Sequence, residues 1–454
     1  MEAKPVVVVG LARSGIAAAR FLAARGSTVV ATDRKTQAEL PEEALKLAEL
    51  GVRLELGGHR AETLAGAGLV VVSPGVPWQA PELVAARAAG VPVIGELELG
   101  ARHIKGPVAA ITGTKGKSTT TAALGAMLRE AGGDVRVGGN IGDAVTGLLD
   151  GATGETAFVL EVSSFQLEAT ESLHPRVAVF LNLSADHLDR HATYEEYGAA
   201  KARVFSNQTG ADFAVVNADD PAVMARTSGI RARVVRFGKS PDAEAQFVGP
   251  DALLWMGRHE DSLFSRSDVK VPGEHIAMDL LAAATAARLM GAPPAAIRRA
   301  VAAFTGIEHV LERVAEVRGV AFYNDTKATN VDAALKSIES FTTPVLPILG
   351  GRYKGGDFAA LAPALARRGK AVLAIGESRD RISGALGATL PVVSCGSLEE
   401  AVAEGLRRAA PGDTVLLAPG CASFDMFTDY AARGRAFKAA VRALAAAEGH
   451  GGHG

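Results

Sequence analysis

The sequence predicts an α/β protein with several domains. Short runs of β-branched residues alternate with alanine-rich helical stretches, which is the pattern of parallel sheets connected by helices. Nearly all of these runs end in turns that carry polar residues. A length of 454 residues is sufficient for two to four domains, and 48% hydrophobic with 22% charged residues is typical of globular proteins. We therefore expect ligand sites at the carboxyl ends of the strands, where open α/β sheets bind them.

The elements and domain limits follow from this pattern. The pattern breaks after GVPVIGELELG and begins again at residue 108, and FTGIEHVLERV follows a long helical stretch. We predict three domains, 1–95, 96–306 and 307–454. The predicted strands are 5–9, 28–31, 69–72, 108–112, 157–161, 177–181, 213–217, 345–349, 371–375 and 414–418.

Charge and cysteine content exclude several classes of protein. A formal net charge of −2 lacks the excess of basic residues that proteins binding nucleic acid or a membrane surface normally have. Cys395 and Cys421 lack metal-like spacing, so we interpret them as small buried residues in a reducing cytoplasm. The apolar start is too short for a signal peptide and no run is long enough to span a membrane. His450 and His453 lie in a glycine-rich end that we expect to fray.

A first glycine turn, VVVVGLARSG, follows the first predicted strand. With Asp33 after the next strand it imitates the dinucleotide fingerprint G-x-G-x-x-G, but Ala12 replaces the middle glycine. That glycine lets the backbone approach a pyrophosphate, so its loss weakens the case for NAD and leaves a helix N-terminus able to hold phosphate. A turn without a ligand is an alternative. The turn SPGVP, at 73–77, lies at another strand end, so a nucleotide-linked substrate would fit the same crevice.

A second glycine turn, GTKGKST, predicts a phosphate loop. It follows the apolar strand VAAIT and precedes a helical stretch, which is the context that such a loop requires. Backbone N–H groups and the helix dipole would hold phosphates, Lys117 would neutralise them, and the Ser118 hydroxyl would bind Mg²⁺. The two turns predict a Rossmann-like first domain and a central domain like those of P-loop ATPases. The last third shares the α/β rhythm of the first, so we expect it to be Rossmann-like as well.

Polar residues at neighbouring strand ends are candidate Mg²⁺ ligands. Glu161 ends the strand AFVLE, and Asp186 and His187 follow the strand VAVFLNLS. Mg²⁺ prefers oxygen ligands and usually keeps several waters. Taken singly, a helix cap explains the glutamate and a structural role explains the histidine equally well. Their position after a phosphate loop favours a metal site.

Seven segments, in order, resemble the motifs of the Mur ligases, which are ATP-dependent amide-bond-forming enzymes of peptidoglycan precursor synthesis. The segments are GTKGKST, GGNIG at 138–142, EVSSFQLE at 161–168, DHLDRH at 186–191, AAKARVF at 199–205, NDTKATN at 324–330 and CASFDMF at 421–427. The resemblance covers essentially the whole chain. Within the family, SSFQLE and DTKATN resemble the member that adds D-glutamate.

The resemblance implies an ADP-forming ligase that joins D-glutamate to UDP-N-acetylmuramoyl-L-alanine through an acyl phosphate. The first domain would bind the UDP sugar, the second ATP and the third D-glutamate. Residues implied for the UDP substrate are Arg13, Ser14, Asp33, Arg34, Ser73, Gly75 and Asn140. Those implied for ATP are Gly113, Thr114, Lys115, Gly116, Lys117, Ser118, Thr119 and Asp325, and those for D-glutamate are Lys327, Thr329, Lys354, Ser423 and Phe424.

The resemblance also implies how the reaction is catalysed. Two anions must approach each other, so cations must cluster around them. Lys117 and two Mg²⁺ ions would supply the positive charge, with Ser118 and Glu161 holding one ion and His187 helping to hold the other. Lys201 would be carbamylated, its new carboxylate acting near the metals. We further expect a cytoplasmic monomer that serves cell-wall biogenesis, cell shape and cell division without binding nucleic acid or a membrane.

Three positions depart from the family pattern. Ile276 and Asp279 stand where the family usually carries asparagines, and Val310 stands where an arginine normally follows a histidine. These family residues contact ATP, so nucleotide binding is the function that the departures affect. Arg313, one helical turn further on, is a candidate substitute, and Lys115 adds positive charge to the phosphate loop.

Three other functions compete with this interpretation. A folylpolyglutamate-synthase-like ligase shares the central domain but lacks a UDP-binding first domain. An NAD-dependent dehydrogenase rests on the first glycine turn alone. A non-catalytic protein that retains the fold explains the departures, but it does not explain the presence together of Lys117, Glu161, His187 and Lys201.

Overall fold

The computed structural model describes residues 4–184 and 190–450 and has an α/β fold with three sheets. The strands are β1 Val6–Val9, β2 Val29–Asp33, β3 Arg53–Leu56, β4 Leu69–Val72, β5 Val93–Gly95, β6 Val108–Thr112, β7 Val135–Gly139, β8 Ala157–Glu161, β9 Val177–Phe180, β10 Phe213–Asn217, β11 Arg233–Phe237, β12 Ala245–Val248, β13 Asp251–Met256, β14 His259–Ser265, β15 Glu312–Val317, β16 Val320–Asn324, β17 Val345–Gly350, β18 Val372–Ile375, β19 Val392–Ser394 and β20 Thr414–Leu417.

The helices connect these strands. They are α1 Arg13–Ala24, α2 Glu42–Leu45, α3 Ala61–Ala65, α4 Pro81–Ala88, α5 Glu96–Ala101, α6 Lys117–Glu130, α7 Ser164–Glu168, α8 Tyr194–Ala202, α9 Pro221–Met224, α10 Glu274–Leu289, α11 Pro294–Ala303, α12 Val331–Glu339, α13 Ala362–Arg368, α14 Arg379–Leu386, α15 Leu398–Arg408 and α16 Tyr430–His450. Short 3-10 helices lie at Gln37–Glu39, Lys46–Leu50, Val145–Leu148, Arg203–Phe205, Arg266–Asp268 and Phe358–Leu361.

The first sheet has five parallel strands in the order β3-β2-β1-β4-β5. Val7 and Val9 pack on one of its faces, and Val8 packs in the core on the other face. Because both faces are covered, β1 is an uninterrupted run of valines and does not alternate with polar residues. The strand order reverses between β1 and β4, which places a ligand crevice at the carboxyl ends of these two strands.

The central sheet has nine strands in the order β14-β13-β12-β11-β10-β9-β6-β8-β7. The strands from β7 to β12 pair in parallel, whereas β12, β13 and β14 form an antiparallel meander at the edge. The strand β6, which leads into the phosphate loop, lies between β8 and β9 and is fully buried. The loops after β6, β7, β8 and β9 are therefore neighbours at one edge of the sheet.

The third sheet has six strands in the order β15-β16-β20-β17-β18-β19, with only β15 antiparallel. It lies within one compact unit, Val269–Ile276 with Phe304–Gly454, and the other two sheets lie within a second unit, Met1–Asp268 with Ala277–Ala303. The predicted α/β class and the three domains are confirmed. The predicted limits at 95 and 306 stay predictions.

All ten predicted strands are present, with ends that differ by at most two residues. The parallel pattern did not predict the antiparallel meander or the strands β3, β5, β7, β11, β15, β16 and β19. One prediction is wrong: Arg313 is not one helical turn beyond Val310, because residues 312–317 form the strand β15, where Arg313 donates to Glu316 at 2.6 Å. Cys395 and Cys421 are both buried, as predicted.

Within residues 4–184 and 190–450, none of the helices combines the length and the apolar character that crossing a bilayer requires. His453 and the predicted metal ligands Asp186 and His187 lie outside the described residues.

Candidate active site

The first crevice lies where the strand order of the first sheet reverses. The Ser73 hydroxyl, after β4, donates a 2.8 Å hydrogen bond to the carbonyl of Gly10, after β1. Beside this bond is a cavity of about 440 Å³. Four of the residues predicted for the UDP substrate line it: Asp33, Arg34, Ser73 and Gly75.

The carboxylate of Asp33 closes the glycine turn. It accepts hydrogen bonds from the backbone N–H of Leu11 at 2.6 Å and of Lys35 at 2.9 Å. In a dinucleotide site, an acid at this position would bind the ribose hydroxyls. Here each of its oxygens accepts one backbone hydrogen bond, which leaves acceptor capacity on both oxygens for a ligand hydroxyl.

The two remaining UDP residues of the first sheet begin α1. Ser14 is buried, and Arg13 donates to the carbonyl of Asn140 at 2.9 Å. Asn140 follows β7 of the central sheet. The structure therefore brings together the predicted UDP residues from two sheets of the same compact unit.

The phosphate loop connects β6 to α6. Gly113 and Gly116 have φ values of 153° and 81°, which favour glycine. The side-chain oxygen of Asn182, after β9, accepts from the N–H groups of Thr114 at 3.1 Å and Lys115 at 2.8 Å. Sequence reasoning missed Asn182, although its position as a polar residue at a strand end was a usable signal.

Three side chains form a chain of hydrogen bonds at the ends of three adjacent strands. The Ser118 hydroxyl donates to Glu161 Oε2 at 2.6 Å, and the amide nitrogen of Asn140 donates to Glu161 Oε1 at 2.7 Å. Glu161 itself is 1% exposed. A buried carboxylate next to a phosphate loop supplies the hard oxygen that Mg²⁺ prefers.

Two lysines converge on the same loop. Lys117 Nζ donates to the carbonyl of Gly113 at 3.0 Å, and Lys201 Nζ donates to the same oxygen at 2.8 Å. Lys201 is 2% exposed and its ammonium lies 4.6 Å from the centre of the Tyr197 ring. The two ammonium groups thus donate to the same carbonyl oxygen in a buried part of the site.

A buried carboxyl lies against the phosphate loop. A Cβ atom added to Gly116 would be only 2.2 Å from Asp279 Oδ1, so the side chain of Asp279 occupies the space beside this glycine. Burial raises the pKa of Asp279 to about 7. The position at which the resemblance predicts asparagine therefore holds an acid that is partly protonated near neutral pH.

Three loops meet at the carboxyl ends of β16, β17 and β20 in the other unit. The N–H of Gly420 donates to the carbonyl of Ala328 at 2.9 Å, and Arg352 and Ala422 exchange backbone hydrogen bonds of 2.9 and 3.0 Å. These loops carry all the residues predicted for D-glutamate: Lys327, Thr329, Lys354, Ser423 and Phe424. The Lys354 ammonium lies 5.8 Å from the centre of the Phe424 ring, and Ser423 is buried.

The segment around Val310 is a turn. The N–H of Val310 donates to the carbonyl of Ile307 at 2.9 Å, and the flanking residues His309 and Leu311 have φ values of 71° and 42°. Asp325, which is predicted to contact ATP, is buried and accepts from Ser337 and from the N–H of Leu311.

Histidines are the other residues that the predictions missed. His191 is buried, lies 2.9 Å from the Ser164 hydroxyl through Nε2 and stacks on Phe165. His59 lines the first crevice at 3.0 Å from the Thr32 hydroxyl, and burial lowers its pKa. His59 follows β3, a strand that the sequence did not predict.

Models of three protein families match the chain. They are a MurD-like N-terminal domain at residues 4–95, a Mur ligase middle domain at 111–287 and a Mur ligase glutamate ligase domain at 311–421. A UDP-N-acetylmuramoylalanine–D-glutamate ligase of Geotalea daltonii is 44% identical over 98% of both chains. The chain belongs to the Mur ligase family.

Other Mur ligases show the same fold. A relative of the same name from Acidobacterium capsulatum is 45% identical over 98% of this chain and 97% of that protein. The UDP-N-acetylmuramate-alanine ligase MurC of Thermotoga maritima superposes with a TM-score of 0.60 at 20% identity, over 97% of this chain and 100% of that chain. MurF of the same organism gives a TM-score of 0.56 at 16% identity, over 98% and 97% of the two chains.

The chemistry of the site fits a Mur ligase, a family that depends on ATP. In the described part of the chain, no group of three or more His, Cys, Asp or Glu residues is arranged to hold a metal ion. Ser118 and Glu161 nevertheless offer two oxygens side by side. A few protein oxygens suit Mg²⁺, since this ion takes its other ligands from water and nucleotide phosphates.

Proposed function

We propose that this Mur ligase joins D-glutamate to UDP-N-acetylmuramoyl-L-alanine and hydrolyses ATP to ADP and phosphate in the process. The observation that carries the proposal is the chain of hydrogen bonds from Ser118 through Glu161 to Asn140, which links the phosphate loop to a residue of the predicted substrate site. Relatives with 41–45% identity that bear the name of this activity support it. The product is a peptidoglycan precursor, which connects the enzyme to cell-wall biogenesis, cell shape and cell division.

The first step forms an acyl phosphate. A carboxylate oxygen of the substrate's L-alanine attacks the γ-phosphorus of ATP, the bond to the β–γ bridging oxygen breaks, and ADP leaves. Lys117 neutralises the phosphates, and the N–H groups from Gly116 to Thr119 cradle them, because those of Thr114 and Lys115 bind Asn182. Asn140 lies near the attacking carboxylate, and its amide holds Glu161 in place.

Mg²⁺ supplies the positive charge that lets the two anions approach. Ser118 and Glu161 would hold one ion, and Lys201 with His187 would help to hold a second. We propose that Lys201 is carbamylated, because its ammonium otherwise competes with Lys117 for the Gly113 carbonyl. The two ammonium groups repel each other, because both lie within hydrogen-bond distance of the same oxygen. Carbamylation turns this repulsion into attraction.

A Lys201→Ala variant tests the carbamate. We expect the variant to lose at least about 100-fold in kcat, a typical loss when one charged catalytic group is removed. A short carboxylic acid such as propionate should restore part of the rate, because it replaces the missing carboxylate. Full activity of the unrescued variant would exclude the carbamate.

The second step consumes the acyl phosphate. The D-glutamate amine attacks the acyl carbon, the tetrahedral intermediate loses phosphate, and the amide forms after a proton leaves the nitrogen. A dicarboxylate needs donors at two places, which Lys327 and Thr329 on one loop and Lys354 and Ser423 on two others supply. Phe424 completes this pocket, and Asp325 contributes on the ATP side. We also propose that the domains end at 95 and 306 and that the enzyme is a cytoplasmic monomer.

Phosphate release measures the proposed reaction directly. We expect release only when ATP, Mg²⁺, UDP-N-acetylmuramoyl-L-alanine and D-glutamate are all present, and a product whose mass equals that of the UDP substrate plus D-glutamate minus water. L-Glutamate is the matched control substrate, and a Lys117→Ala variant is the matched control enzyme. Equal phosphate release without the UDP substrate, or with L-glutamate, would reject the proposal.

A further inference from the structure

The guanidinium of Arg433 is buried beneath the loops of the proposed D-glutamate site. Arg433 lies in the first turn of α16 and is 1% exposed. Burial lowers its pKa to about 10, so the group keeps its charge at neutral pH. Among the described residues, no carboxylate lies within ion-pair distance of it, and the charge of Asp425 acts on it only from further away. A buried charge without an ionic partner must be stabilised by hydrogen bonds.

The hydrogen bonds of Arg433 go to two of the three loops. Nε donates to the Thr326 hydroxyl at 2.9 Å, and Nη2 donates to the Thr326 carbonyl at 3.1 Å. On the other loop, Nη2 donates to the Cys421 carbonyl at 3.2 Å and Nη1 to the Ala422 carbonyl at 3.3 Å. The planar fork of one side chain thus fixes the distance between two backbone segments.

The accepting groups lie next to the proposed binding residues. Thr326 immediately precedes Lys327, and Ala422 immediately precedes Ser423. The third loop is tied to the same point, since a Cβ atom added to Gly351 would be 2.2 Å from the Ala422 carbonyl and 3.2 Å from Arg433 Nη1. A shift of the guanidinium would therefore change the positions of all three loops.

The neighbouring residue keeps the helix in this place. A Cβ atom added to Gly434 would lie 2.3 Å from His309 Nδ1, so the absence of a side chain lets α16 approach His309. The Thr326 hydroxyl also donates to the carbonyl of Tyr430 at 2.9 Å. The start of α16 is thus attached to the Thr326 loop by a second contact.

We propose that Arg433 is a positioning residue that sets the spacing between the Lys327 loop and the Ser423 loop, and thereby the affinity for D-glutamate. This inference rests on the proposed function of these loops. Arg433 does not touch the substrate and acts only through the backbone of its neighbours. Its loss should therefore affect D-glutamate and leave the binding of the other two substrates unchanged.

An Arg433→Lys variant tests this, with Arg435→Lys as the matched control on the exposed face of the same helix. Lysine keeps the charge, but its single ammonium cannot span both loops. We expect the KM for D-glutamate to rise at least about 10-fold, with the KM values for ATP and the UDP substrate within about twofold, and no such change in the control. A D-glutamate KM within twofold of wild type, or an equal rise of all three KM values, would overturn the proposal.

Two further measurements test the proposal if Arg433→Lys does not fold or if the wild-type enzyme does not use D-glutamate. If Arg433→Lys does not fold, the Thr326 hydroxyl can be tested in its place. Thr326→Val should raise the D-glutamate KM several-fold, whereas Thr326→Ser, which keeps the hydroxyl, should stay near wild type. Equal KM values for the two variants would overturn the proposal. If wild-type enzyme does not use D-glutamate, the proposed function fails, and hydrogen exchange then decides about Arg433. Faster exchange at 325–329 and 420–424 in Arg433→Lys than in Arg435→Lys supports the positioning role, and unchanged exchange overturns it.

Discussion

Among single residues, Asp279 is the one that should make stability depend on pH. The unfolded chain loses this proton near pH 3.8 and the folded chain near pH 7. Between these values the folded state binds more protons, so the free energy of unfolding falls as the pH rises. Asp279→Asn removes the ionisation, and we expect the variant to exceed wild type by roughly 1–4 kcal/mol at pH 8.

Urea unfolding at pH 5 and pH 8 checks this prediction. The difference between Asp279→Asn and wild type should be much smaller at pH 5 than at pH 8. Asp251→Asn, an exposed position in the same compact unit, is the matched control and should not alter the pH dependence. Parallel pH profiles for wild type and Asp279→Asn would contradict the assignment.

Substitution of Val310 by arginine should strengthen the binding of ATP. The resemblance implies an arginine that contacts ATP at this position, and a guanidinium binds phosphate by charge-assisted hydrogen bonds. We expect Val310→Arg to lower the KM for ATP about 3- to 10-fold, equivalent to about 1 kcal/mol. Val310→Gln, which adds a polar side chain without charge, is the control. An unchanged ATP KM and kcat in Val310→Arg would show that this chain does not need the arginine.

The sequence predicted the site residues that belong to a recognisable motif. Ser118, Glu161 and Asn140 belong to such segments, and the structure places their side chains in hydrogen-bond contact. Asn182, His59 and Arg433 belong to no motif that predicts a ligand, and their roles depend on which loop or helix folds against them. Arg433 donates to the carbonyls of Cys421 and Ala422, which are 12 and 11 positions away in the sequence, so only the folded backbone reveals these contacts.

Among the elements, the short helix α5 carries two buried glutamates with opposite pH responses. Glu96 accepts from the N–H and the hydroxyl of Thr146 through Oε1, while its buried Oε2 has no hydrogen-bond partner among the described residues. Burial raises its pKa. Glu98 accepts from Arg102, from the N–H of Glu171 and from Ser172, and these hydrogen bonds outweigh burial and lower its pKa.

Replacing Glu96 or Glu98 by the neutral glutamine should therefore change the free energy of unfolding by different amounts. Glu96→Gln resembles the protonated side chain and we expect it to cost less than about 1 kcal/mol at pH 7, whereas Glu98→Gln weakens charge-assisted bonds and should cost about 1–3 kcal/mol. The contribution of Glu98 is lost as the pH falls below about 4.5, while that of Glu96 is lost as the pH rises through its raised pKa. Urea unfolding at pH 3.5 and pH 7 measures both, and equal costs at pH 7 would contradict the contrast.

Strand prediction succeeded for most of the buried strands and failed for the more exposed ones, although the short buried strand β5 was also missed. The predicted strands include β1, β6 and β20, in which nearly every residue is apolar and buried because both faces of the sheet are covered. β3 alternates arginine and glutamate with leucine, β15 mixes charged and apolar residues without alternation, and neither has a fully buried run. The antiparallel meander from β12 to β14 was not predicted, because antiparallel hairpins have different sequence signals from the parallel strand–helix units on which the prediction rests.

At the scale of the whole molecule, both tryptophans report on one compact unit. Trp78 and Trp255 lie in the unit that carries all the residues proposed for the UDP substrate. Saturating substrate at about 100 times its Kd should stabilise that unit by about 2.7 kcal/mol. We expect the urea midpoint of tryptophan fluorescence to rise, while hydrogen exchange in the strands β17, β18 and β20 of the other unit stays unchanged. Equal protection of both units would show that they unfold as one.

The crevice beside Ser73 and Gly10 also has a consequence for inhibition. Its volume of about 440 Å³ lies in the range of sites for drug-sized molecules, and Leu40, Pro41 and Pro77 give it apolar walls next to the polar turn. A compound that fills it would compete with the nucleotide sugar and not with ATP. Because phosphate loops recur in many nucleotide-binding proteins, a compound fitted to the turn closed by Ser73 avoids features that those proteins share.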